Sequence, residues 1–212
     1  IDSSIKDAKG LFLDKFLNFR IPGAIFTYAA HFIEDKEMIE PIKQFISVVM
    51  KDTFLEHRHA FNSHKSFLSQ EQLAVWEKST SNPLEIPIQK EQPFDRSKDG
   101  FKHLCIYDTE DPQDLLLCGT EVFGSCLNIA GDLDYNKCLM GYVLDGKVRL
   151  LAIKNSEGKI EARAVLKLLV DEKNQPVLFL EKLYPHKQFE SQIRQLAKQK
   201  AYLMNVPLFV KG

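Results

Sequence analysis

Apolar residues at the start of the chain recur at steps of three and four. Ile5, Ala8, Phe12, Phe16 and Phe19 form one stripe, which predicts an amphipathic helix over 4–20. Ile21-Pro22-Gly23 interrupts it, and Pro22 suits the first turn of a second helix reaching Glu34. A third helix is expected from near Pro41, with Ile42, Phe45, Ile46, Val49 and Met50 inward. The fourth has a marked start. Ser69 and Gln72 form a Ser-x-x-Gln capping box, with Leu68 and Leu73 in the staple positions around it. Trp76 on this short helix is its expected anchor.

Beyond Ser79 the period is lost. Pro83, Pro87 and Pro93 arrive with Ser79, Ser81 and Asn82, and then Asp95-Arg96-Ser97-Lys98-Asp99-Gly100, which together predict a connector. After it a period of two takes over. A short β-rich run covers 103–107, and Tyr142-Val143-Leu144 before Asp145-Gly146 reads as a hairpin returning through Val148, Leu150 and Ile153. Asn155-Ser156-Glu157-Gly158 makes the next turn, and the run 160–170 alternates. Ile160, Ala162, Ala164, Leu166, Leu168 and Val170 share one face; Glu161, Arg163, Val165, Lys167 and Leu169 share the other. A strand over 177–180 comes after the turn at Asn174-Gln175-Pro176. A helix over 186–204 puts Phe189, Ile193, Leu196, Lys200 and Leu203 on one stripe, with the Lys200 stem laid over the core edge. A strand over 206–210 closes the chain.

The fold class so predicted is α+β, with a helical subdomain over 1–80, a linker over 81–100 and a sheet subdomain over 101–212. The sheet is expected to be mixed and mainly antiparallel, with its last strands flanking a helix. Consecutive hairpins make a meander, and the late helix permits one parallel crossover. Over 141–210 this order resembles the core of the Gcn5-related N-acetyltransferase family. The resemblance implies acetyl-coenzyme A binding where two parallel strands splay, and a pyrophosphate loop, Arg/Gln-x-x-Gly-x-Gly/Ala, near 184–192. There the chain has Tyr184-Pro185-His186-Lys187-Gln188-Phe189-Glu190-Ser191-Gln192, without a glycine. Close approach of backbone amides to a diphosphate needs glycine, so no cofactor is expected.

Charge narrows the function classes. Lys and Arg number 28 against 29 Asp and Glu, so the chain has no global electrostatic grip on nucleic acid. Lys187, Arg194 and Lys198 make a modest basic stripe on the last helix, without interleaved aromatics, read as a solvated face or one turned to an acidic partner. No apolar run reaches the roughly 18 residues of a membrane span, and no signal-peptide pattern is visible. The four cysteines, 105, 118, 126 and 138, include no Cys-x-x-Cys pair. Free thiols in a reducing intracellular compartment are expected, and no metal site. His57 and His59 stand at i, i+2 and not at the i, i+4 of a helical zinc pair. Asp132-Leu133-Asp134-Tyr135-Asn136 starts like a calcium loop but has Lys137 where glycine is required. The chain opens on Ile-Asp-Ser-Ser, and a piece of a longer protein is expected.

Candidate chemistry concentrates in Cys118-Gly119-Thr120-Glu121-Val122-Phe123-Gly124-Ser125-Cys126-Leu127-Asn128. Gly124-Ser125 can open a helix, with Ser125 near the cap and Cys126 in the first turn, where the macrodipole favours a thiolate. A nucleophile there needs a base, for which His103 and His186 are the candidates, and an orienting group such as Glu121, Asp132 or Asp134. The alternative is a structural Cys126 at a tightly packed turn. Arg163 interrupts an apolar strand and has a rigid fork suited to carboxylate or phosphate; Glu181, ending the neighbouring strand, is its expected partner. Two functions of different class are expected from these residues. One is a non-catalytic or accessory domain of a larger intracellular protein, recognising a small ligand or another protein through Arg163, Glu181 and Ser125. The other is a cysteine-dependent hydrolase or acyl-transfer enzyme using Cys126 with His103 or His186. An acetyltransferase-like enzyme is a third, weaker expectation.

Overall fold

The computed structural model describes residues 66–84, 104–127, 139, 142–143, 145–185 and 189–211. The three helices expected before residue 66, His57 and His59, most of the linker, Cys138 and the run 132–136 lie outside the described residues.

The capping box forms as its residues dictate. Ser69 Oγ accepts from the Gln72 amide at 3.2 Å and Gln72 Oε1 accepts from the Ser69 amide at 2.9 Å, opening helix α1 (Gln70–Glu77). Strand β1 (Thr80–Pro83) comes immediately after and pairs antiparallel with β2 (Cys105–Thr109). Helix α2 (Pro112–Leu117) was not foreseen, although its start is written in Asp111-Pro112. Asp111 Oδ1 accepts from the amides of Gln113 at 2.9 Å and Asp114 at 3.1 Å, and proline takes the first helical position, where no amide is needed.

Strands β3 (Val148–Lys154), β4 (Ile160–Val170) and β5 (Pro176–Leu180) continue the meander. Helix α3 (Glu190–Met204) then crosses over, so that β6 (Leu208–Val210) lies parallel to β5. Strand order in space is the order in sequence. The chain thus has an α+β fold with a mixed, mostly antiparallel sheet and helices packed against it. The β3–β4 turn closes on Gly158 at φ 80°, with Asn155 Oδ1 taking the Glu157 and Lys159 amides. The β4–β5 turn uses Asn174 at φ 58°, beside Asp171 Oδ1, which takes the Lys173 and Gln175 amides.

Three local expectations need correction. Tyr142 and Val143 are helical, not strand, and the antiparallel partners of β3 are β2 and β4. Asp145-Gly146 instead turns the chain into β3, with Asp145 Oδ1 accepting from the Lys147 amide and Asp145 O from that of Val148. The cause is tertiary: Val143 is buried and the Trp76 indole donates to Gly146 O at 2.8 Å. Leu203, expected on the buried stripe of α3, is exposed, while Ala197, Ala201 and Met204 are buried. Lys200 does not lay its stem over an edge. Its ammonium is buried in an ion pair.

Helices cover both faces of the sheet. On one, α1 and α3 pack over Leu151, Ile153, Ala164 and Leu166, with Trp76 between them. On the other, Leu115, Leu116 and Leu117 of α2 are fully buried, together with Leu139, Val143 and Val165. Each such side chain contributes about 1.5–3 kcal/mol on burial, so the second face is as much a core as the first. Residues of α1 share the core with α3, and β1 extends the ladder at β2.

Candidate functional site

Arg163 lies in β4 opposite Ala152 of β3, on the α2 side of the sheet. It is only 2% exposed. After β5 ends, the chain keeps running beside β4: the Glu181 amide donates to Val165 O at 2.9 Å, and Arg163 and Tyr184 exchange backbone hydrogen bonds of 2.7 and 2.9 Å. The stretch opposite β4 carries one extra residue between these two contacts, a bulge that brings the Tyr184 ring over Arg163 at 4.6 Å. Such re-aiming of a side chain is a common use of bulges.

The guanidinium is fixed along one edge. Its Nε donates to Cys118 O at 2.7 Å and its Nη2 to Ser125 Oγ at 2.7 Å. Both acceptors are neutral and come from the turns after α2. Those turns are shaped by Gly119, where a Cβ would stand 2.3 Å from Leu127 O, and by Gly124 at φ 79°. Ser125 Oγ also accepts from the Leu127 amide at 3.2 Å, the bond expected of a capping serine. Residues 121–127 are bends and turns, and residues 128–138 lie outside the described residues.

Arg163 faces an open cavity of about 420 Å³. Leu127, Tyr142, Phe179 and Tyr184 give it an apolar and aromatic wall, and Cys126 stands exposed at its rim. Glu181 lines it too, but the expected Arg163–Glu181 pair does not form. The Leu166–Leu180 register sets Glu181 beside Val165, between Arg163 and Lys167 on one face of β4. Arg163 is held toward Cys118 O and Ser125, so Lys167 takes the Glu181 carboxylate, and the Tyr142 hydroxyl adds a long contact at 3.4 Å. With Glu181 neutralised by Lys167, Arg163, Lys182 and Lys211 make the described lining of the cavity net positive.

Of the residues named from sequence, the structure therefore brings together Arg163, Ser125, Cys126 and Glu181. Glu121 is placed elsewhere: its Oε2 accepts from the Ile160 amide at 2.7 Å, at the start of β4. His103 and His186 lie outside the described residues. Cys118 is fully buried, and burial pushes its thiol up, with Arg163 only partly opposing this. It is a packing residue. Among the described residues no group of three or more His, Cys, Asp or Glu could hold a metal ion. No helix among them is long and apolar enough to cross a membrane. Sequence reasoning missed Tyr142 and Tyr184, since neither an unforeseen helical turn nor a bulge leaves a periodic signal. Comparison with family models, with curated proteins and with solved structures returned no match.

Proposed function

We propose that this chain is a ligand-recognition domain and that the cavity beside Arg163 is its site. The observation carrying this reading is the buried, pre-oriented guanidinium, held by neutral acceptors at one edge of a cavity with an apolar and aromatic wall. Concave, mostly apolar sites with a few fixed polar groups are the usual form of small-molecule sites. Cys126 supplies a built-in reporter. Small molecules found by ligand-observed NMR are expected to slow alkylation of Cys126 by iodoacetamide, and Arg163→Met to abolish that protection. Binding that leaves Cys126 alkylation unchanged, or that survives the substitution, overturns this assignment.

A second reading keeps Cys126 as the nucleophile of a hydrolase or acyl-transfer enzyme, favoured by its exposure at the rim of the same cavity. It requires Cys126 to react with electrophiles faster than Cys105 at neutral pH, which peptide mapping after brief alkylation measures. The acetyltransferase-like reading draws on the order of β3 to β6 around α3. Against it, β5 and β6 remain hydrogen-bonded as far as the Lys211 amide and Leu180 O, at 2.9 Å.

A further inference from the structure

The orientation of Arg163 narrows the ligand class. A guanidinium offers two edges to an oxyanion: the side formed by Nε and Nη2, and the end formed by Nη1 and Nη2. The side edge is occupied, since Nε donates to Cys118 O and Nη2 to Ser125 Oγ. The end edge has no acceptor among the described residues, although the residue is 2% exposed and lines the cavity. Buried arginines ordinarily find a carboxylate, as Arg149 does in this same sheet with Asp108 at 2.6 Å. Glu181 is the acid near Arg163 in the cavity wall, and it is bound to Lys167.

We infer that the end of the Arg163 fork receives the carboxylate of a small ligand whose apolar or aromatic body lies against Tyr142, Phe179 and Tyr184. Two parallel N–H donors match the two coplanar oxygens of a carboxylate. The stacked Tyr184 ring holds the fork in plane, and the Cys118 and Ser125 bonds fix its direction, so little side-chain freedom is lost when the anion arrives. Lys182, whose ammonium stands 5.4 Å from the Tyr184 ring centre, and Lys211 add positive potential without a fixed geometry. The inference rests on the recognition reading above and goes further by naming the charged group and its mate.

Calorimetric titration with phenylacetate, phenylacetamide, phenyl phosphate and acetate tests it, with Cys126 alkylation monitored in parallel. Phenylacetate is expected to bind about tenfold or more tightly than phenylacetamide, the size of effect a charge-assisted bond gives. Acetate should bind more weakly still, for want of a ring. Arg163→Lys, which keeps the charge and loses the fork, should weaken phenylacetate more than phenylacetamide and so narrow the preference for the acid over the amide. The acid–amide comparison on the unaltered chain stands even if that variant fails to fold. Equal binding of acid and amide, both protecting Cys126, overturns the carboxylate assignment and leaves the ligand site standing. Phenyl phosphate binding as tightly as phenylacetate overturns the selectivity for a planar anion. Failure of all three ring compounds to bind or to protect Cys126 overturns this inference and the site reading together.

Discussion

Two arginines are buried in neighbouring strands of this sheet, on opposite faces, and they are treated differently. Arg149 of β3 faces α1 and α3. Its Nε donates to Asp108 at 2.6 Å, its Nη2 to Ser79 Oγ at 2.9 Å, and Glu110 Oε1 lies 3.2 Å from its Nη1. Lys200 from α3 donates to the other Asp108 oxygen at 2.5 Å and to Lys78 O at 3.2 Å, and both cations approach the Trp76 ring. Two cations thus meet two carboxylates, and no charge is left over. Arg163 of β4 has neutral partners along one edge and open space at the other. The first arrangement ties helices to the sheet. The second is a charge with no counter-ion among the described residues, beside a cavity, an arrangement that costs stability unless an anion is bound there.

The comparison breaks most readily at Asp108. Asp108→Ala leaves Arg149 and Lys200 buried with one carboxylate between them and should cost about 3–5 kcal/mol, read from urea denaturation. Should the loss stay near that of a surface change, the ion network is ornamental and the contrast with Arg163 disappears. Next comes the scaffold of the second arginine. Gly119→Ala drives a Cβ toward Leu127 O, so the turn holding Cys118 O and Ser125 must shift, at about 1–3 kcal/mol and with weaker ligand binding. Ser125→Ala removes one hydrogen bond from Arg163 and should cost about 0.5–1.5 kcal/mol, with iodoacetamide mapping of Cys126 reporting the loosened loop.

A separate effect is a slope with pH. Burial lowers the Lys200 ammonium from its ordinary 10.5 to about 8, with Asp108 pulling the other way. Between these two values the unfolded chain holds the proton that the folded chain has released. The Lys200 contribution to stability therefore rises as pH climbs from about 8 toward 10.5, and is flat below. Denaturation of the wild type and of Lys200→Met at pH 7.5 and at pH 10 isolates it. The difference between them should move in favour of the wild type at the higher pH, and an unchanged difference refutes the shift.

Much of the fold was legible because local chemistry sufficed. The Ser69–Gln72 box, the Asn155 and Asn174 turns and the alternation of β4 each act over a few residues, and each element formed where the pattern put it. The Asp145-Gly146 pair misled for the same reason. It is a strong local turn signal, and the turn is there, but whether the flanking Tyr142-Val143 pairs as a strand depends on what covers the sheet. Cys126 drew attention through its neighbours Gly124 and Ser125, and in the structure that serine also accepts from Arg163.

The sequence by itself determined most of the helix and strand segments between 66 and 211, α2 and β1 excepted, and that Arg163 interrupts an apolar strand and Lys200 an apolar helix stripe. Those properties are set by side-chain period, capping and turn residues, all within one or two turns of chain. Only the tertiary structure decided the partners: that Glu181 goes to Lys167, that Lys200 meets Asp108, and that Tyr184 stacks on Arg163. Each of these joins residues from different elements, through a strand register, a crossover and a bulge. One residue of slip in any of them would turn a side chain to the opposite face, and no local pattern carries that information.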